Sequence, residues 1–378
     1  MINTSKRDTL YVLLIFLIIL SCNSSNKHGK KDSSSTVKES TSKDGTPESW
    51  PWRGISISSA HAESKDINFK FLKAVHVNHV SLAYMPAAHA RNYKLNWRET
   101  ISSDIDWLHQ MLDSCVKYEI NAAITYQEFP HDPAANYSQS SSKFWNDRTL
   151  LDSAMNIVRG IVTEFQNRGN ELVAFEFFCE PVIKDLPGPA IRPPIWREFA
   201  QDIINEVRKI DTQRYIIINT GPWGNPNGYA DWSVLNGEKI IYGTHMYQPN
   251  NYTSHRHPDQ GKDMMYPGKI KNRNWNKEDL RQVFQYVRKF QLENNALIYV
   301  GEFSAAPWAV GSEQYIQECT EVFDEYNFSY SYWNLNGWPI WNIHYDKGFP
   351  NNKKGVGHAG YESSKWKALR KAFLKNAQ

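Results

Sequence analysis

The chain has 378 residues, with 43 Lys and Arg against 40 Asp and Glu, and a formal charge of +3 argues against the clear basic excess of a nucleic-acid binder. Four cysteines in so long a chain cannot build a disulfide scaffold, and 22% charged with 41% apolar residues fits an ordinary globular fold rather than a disordered one. The unusual feature is the aromatic load: 14 Trp, 20 Tyr and 17 Phe supply many broad apolar faces, those of Trp and Tyr with a polar handle.

Lys6 and Arg7 precede an apolar run from Leu10 to Leu20, a positive n-region followed by an h-region too short for a comfortable membrane span. The run ends in Ile19-Leu20-Ser21-Cys22, which resembles a bacterial lipobox. Residues 1–21 therefore read as a lipoprotein signal peptide and Cys22 as the lipidated residue. From Asn23 to about Glu48 the chain is Ser, Lys, Asn and Thr with almost nothing apolar, so residues 22–48 read as a disordered tether. The expectation is an exported, lipid-anchored protein of the bacterial cell envelope, with one folded domain over 49–378. Which membrane face holds the anchor stays open. Of the cysteines left after Cys22, Cys115 and Cys319 fall in predicted helices far apart, so no structural disulfide is expected. No C-x-x-C or H-E-x-x-H spacing occurs, and no metal site is predicted.

The body alternates short apolar runs with amphipathic segments. Strands are predicted at 54–58, 79–85, 121–126, 172–178, 215–220, 240–247, 297–303 and 329–335. Between them, Ile105, Leu108, Leu112 and Cys115 recur at helical steps, as do Met155, Val158, Val162 and Phe165. Further helices are predicted at 196–210, 277–294, 313–326 and 364–376, with a short one near 230–235. Eight strands each followed by a helix is the count of a (β/α)8 TIM barrel, with a doubly wound sheet as the alternative. In a barrel, chemistry gathers where strands end.

Two of these ends carry a carboxylate. The fourth runs Glu176-Phe-Phe-Cys-Glu180-Pro181, and the seventh runs Val300-Gly-Glu302-Phe303. Singly, either Glu is more often a solvated strand-end residue. Facing each other across a barrel mouth, they are the minimum apparatus of glycoside hydrolysis.

The chain resembles glycoside hydrolase family 5, the cellulase-type retaining barrel glycosidases, over about residues 50–376 and most strongly from Trp145 on. The stretches that carry the resemblance are Phe175-Glu-Phe-Phe-Cys-Glu-Pro181, Trp223-Gly-Asn-Pro226, Gly243-Thr-His-Met-Tyr-Gln-Pro249, Val300-Gly-Glu-Phe303 and Ser331-Tyr-Trp-Asn334, with Arg53-Gly-Ile-Ser56 as the first-strand opening. The resemblance implies Glu180 as acid/base and Glu302 as nucleophile, about 5–5.5 Å apart. It implies that His245 and Tyr247 contact the sugar and the nucleophile, and that Trp333 floors the cleaved sugar. Glu176, four residues before Glu180, reads as a buried structural carboxylate on the same face. Trp223, Trp308, Trp338 and Trp341 fall in loops at the cleft, where aromatics can stack on sugars; Trp223 is the one taken as substrate-binding. His255 and His257 read as bystanders. No cofactor, metal or nucleic acid is implied: the partners are a polysaccharide or oligosaccharide substrate and, through the anchor, a membrane, and the protein is expected to be a monomer.

The pattern is altered in three places. Cys179 stands where the family carries an Asn that binds the sugar 2-hydroxyl, and a thiol is a weak donor and poor acceptor. Ser81 is nearest to the place of an Arg that keeps the nucleophile ionised, so the Glu302 pKa is expected to rise, with Arg53 or Arg91 as substitutes. On the third strand Gln127 is nearest to the place of a His, and His131 comes later. Two readings follow: a hydrolase for β-linked glucan or mannan-type polysaccharide acting through a two-Glu double displacement, or a degenerate glycan-binding barrel. The retention of both Glu residues with His245, Tyr247 and Trp333 favours the hydrolase.

Overall fold

The computed structural model describes residues 46–61, 66–127, 129, 139–256, 258–261, 263–338, 340–346 and 358–377. Cys22 with its leader and tether, His131 and His257 lie outside these residues.

Eight parallel strands close into a barrel: β1 (Arg53–Ser58), β2 (His79–Tyr84), β3 (Asn121–Tyr126), β4 (Leu172–Phe177), β5 (Tyr215–Asn219), β6 (Ile240–Met246), β7 (Leu297–Phe303) and β8 (Ser329–Tyr332). Each pairs with its neighbours in chain order, and β8 returns to β1 through Gly54 opposite Ser331. Closure sets aside the doubly wound alternative. β4 (Leu-Val-Ala-Phe-Glu-Phe) and β5 (Tyr-Ile-Ile-Ile-Asn) read as nearly unbroken apolar runs because both faces are covered, one by the barrel interior and one by helices, while β1 and β8 interleave small serines. All six residues of β2 and of β4 are buried, for example.

The helix Trp196–Arg208 shows how the outer layer forms. Trp196, Phe199, Ala200, Ile203, Ile204 and Val207 recur along one face and are all buried. The helix Arg148–Phe165 starts where the Asp147 side chain accepts from the Thr149 and Leu150 N–H groups. The core between strands and helices is separate from a smaller one inside the barrel, which holds Trp52, Ala123, Val173, Ala174, Tyr215, Ile217, Ile241 and Tyr299. Trp52 stacks on His79 there at 4.7 Å, and the Tyr299 hydroxyl donates to Ser331 Oγ at 2.8 Å. The lower barrel is filled, which leaves its upper end for chemistry.

Three local expectations are corrected, and two elements are new. The predicted helix 277–294 is two helices, Lys277–Val283 and Gln285–Asn294, broken at buried Phe284. The short helix after β5 is a 3-10 turn over Pro226–Asp231, because Pro226 suits a first turn and Asn225 caps it by accepting from the Asn227 N–H. β8 stops at Tyr332, three residues early. A helix Pro86–Tyr93 and an antiparallel hairpin of Gly268–Ile270 with Arg273–Trp275 were not anticipated. Cys115, Cys179 and Cys319 are buried free thiols.

Candidate active site

The upper end of the barrel is built around Glu302. It sits on β7 opposite His245 of β6, next to a shift in register between Thr244 and His245. Its two oxygens are each held: Oε2 accepts from the Tyr247 hydroxyl at 2.8 Å, and Oε1 accepts from Gln127 Nε2 at 2.9 Å. Gln127, just past β3 and expected only to stand nearest the place of a His, touches the carboxylate. Glu302 is 9% exposed, and burial pushes its pKa up to about 7, with Glu180 and Glu176 adding to the rise and His245 and Tyr247 opposing it.

His245 lies between the two carboxylates. Its Nδ1 is 3.0 Å from Glu180 Oε1 and 3.8 Å from Glu302 Oε2. Burial disfavours its charge, but Glu302 and Glu180 outweigh that and raise its pKa to about 9. The ring is fixed from behind by the loop after β5. Gly224 O accepts from the His245 N–H at 2.7 Å and from Thr244 Oγ1 at 2.8 Å. Gly224 has φ +61°, and a Cβ there would stand 2.9 Å from His245 Cγ. Only glycine combines that backbone with that approach. This accounts for the Gly in Trp223-Gly-Asn-Pro226.

Glu180 is reached differently from what strand alternation suggests. β4 ends at Phe177, and Phe178 adopts φ +56°, a left-handed turn. The Phe178 ring leaves the barrel to pack against Phe129, Trp145, Trp196 and Phe199. After that turn Cys179 and Glu180 face the cleft. The Glu180 side chain is 31% exposed, against 12% for Glu302. Glu176 is on the regular part of the strand and lies deeper, 1% exposed, accepting from Asn219 Nδ2 at 2.6 Å and Thr125 Oγ1 at 2.8 Å. Burial raises its pKa.

Cys179 is buried beside the same groups. Its thiol is held well above its ordinary pKa, first by burial and then by the charges of Glu302, Glu176 and Glu180. Ser81 reaches Thr125 at 2.9 Å and so supports Glu176 rather than Glu302. Arg53 does not supply the missing charge: it is spent at the base of β1 on Asp324 at 2.7 Å and on Asn376. The cation paired with Glu180 and Glu302 among the described residues is His245.

Next to these groups opens a cavity of about 370 Å³ lined by Trp333, Trp338, Trp341, Met85, His61 and Arg91 among others. Trp333 is 9% exposed, Trp338 is largely exposed, and Trp341 packs on Tyr247 with ring centroids 5.1 Å apart. Trp223 is 40% exposed, with Lys184 Nζ 5.8 Å above its ring. Trp308 instead packs near His255, whose Nδ1 bonds the Tyr252 carbonyl at 2.7 Å, so this pair braces a loop. His61, Met85 and Asn92 are cavity residues that no motif in the sequence marked.

A closed parallel barrel whose strand ends bring two glutamates to one imidazole is the architecture of a barrel glycosidase. The Cellulase family profile, glycosyl hydrolase family 5, matches residues 41–338, and the chain belongs to that family. It is 22% identical over 271 residues to Endoglucanase 3 of Fibrobacter succinogenes, covering 62% of this chain and 40% of that protein. It is 20% identical over 258 residues to Endoglucanase C of Acetivibrio thermocellus, covering 61% of this chain and 72% of that one. The chain thus spans well under half of the first relative's length. Among solved structures, Cel5A of Thermotoga maritima with mannotriose superposes with a TM-score of 0.60 at 17% identity, covering 85% of this chain and 98% of that one.

Proposed function

We propose that this chain is a retaining O-glycoside hydrolase acting on β-linked glucan or mannan-type polysaccharide by a two-glutamate double displacement. Glu302 is the nucleophile. Its oxygens are oriented by Tyr247 and Gln127, so a lone pair can be aimed at the anomeric carbon without reorganisation. Glu180, the more exposed carboxyl, is the acid/base: it protonates the departing glycosidic oxygen, then takes a proton from the water that releases the sugar. The observation that carries this reading is that both carboxylates lie against one nitrogen, at 3.0 and 3.8 Å. That favours the about 5–5.5 Å gap of retaining enzymes over the about 6.5–9.5 Å of inverting ones.

Trp333, Trp338 and Trp341 offer apolar faces on which pyranose rings stack. Trp223, exposed beyond β5, is a further platform. Cys179 beside the nucleophile replaces an amide that would bind the sugar 2-hydroxyl, which bears on which sugar is accepted. The glucan or mannan assignment is supported by relatives named as endoglucanases and by the mannotriose-bound neighbour. The mature protein works as a monomer tethered to the cell envelope through a lipid on Cys22.

The test is hydrolysis of a panel of β-glucans, mannans and xylans by the purified protein and by Glu302→Gln. Release of reducing ends by the wild type, lost in the variant, is the expected result. Binding of a glycan without cleavage, unchanged by the substitution, would overturn the reading in favour of a glycan-binding barrel.

A further inference from the structure

The cleft brings together three kinds of metal ligand that the hydrolytic reading does not use as a set. Cys179 Sγ, a ring nitrogen of His245 and a carboxylate oxygen of Glu302 all lie within 4.8 Å of one another, and all three residues are buried. They come from the exit of β4, from β6 and from β7. We propose that this trio binds a divalent transition cation of intermediate softness, Zn2+ foremost, and that its occupation shuts off hydrolysis. The inhibitory half rests on the function proposed above; the binding half does not.

The three ligand atoms, within 4.8 Å of one another, must draw in by up to about 1 Å to close on one ion. Tetrahedral zinc holds sulfur at about 2.3 Å and nitrogen or oxygen at about 2.0–2.2 Å, which sets ligand atoms about 3.3–3.7 Å apart. His245 Nδ1 and Glu302 Oε2 already stand at 3.8 Å. The imidazole is held in place by Gly224, whose carbonyl fixes the His245 backbone. Glu180 Oε1, 3.0 Å from the same Nδ1, is available as a fourth ligand, or the fourth position can hold a water in the cleft.

The donor set selects the ion. Calcium and magnesium take oxygen ligands, whereas a thiolate with an imidazole and a carboxylate suits zinc. Charge favours it too, because Glu176, Glu180 and Glu302 converge on the single imidazole of His245. Binding is proton-balanced: Cys179 gives up its thiol proton and His245 its Nδ1 proton to solvent, and the metal's two positive charges take their place. A bound ion would then occupy the Glu302 lone pair that attacks the sugar. An Asn at position 179 offers no such thiolate, so the site belongs to the residue by which this chain departs from its family's pattern.

Cobalt(II) substitution tests the site without relying on activity. Titration of chelator-treated wild-type protein with Co2+ is expected to give a thiolate-to-cobalt charge-transfer band, displaced by one equivalent of Zn2+. Cys179→Ser and Cys179→Asn, checked for folding by circular dichroism, should lack the band and bind Zn2+ at least about tenfold more weakly, while Cys115→Ser keeps both. Absence of the band from the wild type, or unchanged zinc affinity in both Cys179 variants, overturns the proposal. Zinc-saturated protein should lose hydrolysis and regain it with EDTA; full activity when saturated overturns the inhibitory half. A wild type inactive even in EDTA would instead refute the hydrolase reading, and the cobalt band would still decide the metal site.

Discussion

His245 Nδ1 stands 3.0 Å from Glu180 and 3.8 Å from Glu302, so one imidazole serves two carboxylates. Among the described residues it is the cation at both carboxylates, and Ser81, at the place expected for an arginine, carries no charge. The positive charge of His245 opposes the burial that lifts Glu302 to about pH 7. The proposed double displacement needs Glu302 ionised, so activity is expected to rise as pH climbs through that value. Removing the cation in His245→Asn lets the Glu302 pKa climb further. The expected outcome is a fall in kcat/KM of about 10²-fold at neutral pH and an acid limb moved to higher pH. Profiles recorded in EDTA, so that no bound metal intervenes, check both; an unmoved limb would show that His245 does not tune Glu302.

Tyr247 acts on the same carboxylate through a hydrogen bond rather than a charge. Its hydroxyl donates to Glu302 Oε2 at 2.8 Å and lowers the Glu302 pKa. In Tyr247→Phe that oxygen loses its donor while Gln127 still holds the other. The acid limb should shift upward by less than in His245→Asn, with kcat/KM down about tenfold. If the two variants shift it equally, charge and hydrogen bond are not separable here.

Glu180 has a different signature. An acid/base residue matters most when the leaving group is poor, because a good one departs without protonation. Glu180→Gln should therefore lose about 10²–10⁴-fold on a polysaccharide but far less in the first step on an aryl glycoside. Equal losses on both substrates would contradict the assigned role.

How much of this was legible follows from what each feature depends on. A strand such as β5 stood out because Ile216, Ile217 and Ile218 are apolar without interruption, as suits a strand covered on both faces. The hairpin at Gly268–Trp275 did not, since two three-residue strands carry no period. Both glutamates were visible as strand-end residues, yet the route to Glu180 was not. It depends on Phe178 turning left-handed so that its ring can join Trp145 and Trp196, a tertiary demand that local alternation cannot express. The role of Gln127 and the meeting of Cys179 with His245 depend on closure between distant strands. Arg53 looked like a spare cation only because its partner, Asp324, lies 271 positions away.

Gly224 offers a test of how the site is held. A methyl group there would meet His245 Cγ at 2.9 Å, on a backbone with φ +61°. Gly224→Ala must move either the loop or the ring. The expected cost is about 1–3 kcal/mol of stability, with a loss of activity larger than that destabilisation explains. Thermal unfolding alongside kcat/KM separates the two, and normal activity in a folded Gly224→Ala protein would mean that the loop does not position His245.

Glu302 should also leave a mark on stability. Its pKa is about 7 in the fold, above the ordinary carboxyl range, with burial as the largest cause. Below the unfolded value, near pH 4, the carboxyl is protonated in both states and costs nothing. As pH rises from the unfolded value to about 7 the unfolded chain ionises while the folded chain stays protonated, so the fold loses stability over that window and no more above it. Glu302→Gln keeps the shape but cannot ionise; its oxygen can accept from Gln127 Nε2 while its NH2 donates to the Tyr247 hydroxyl oxygen. It should raise Tm by a few degrees at pH 8 and change it little at pH 4.5, a stability gain obtained by abolishing activity. Equal effects at both pH values would show that the ionised carboxylate is not the source of the strain, because a packing change would act at every pH while a charge acts only where the group is ionised.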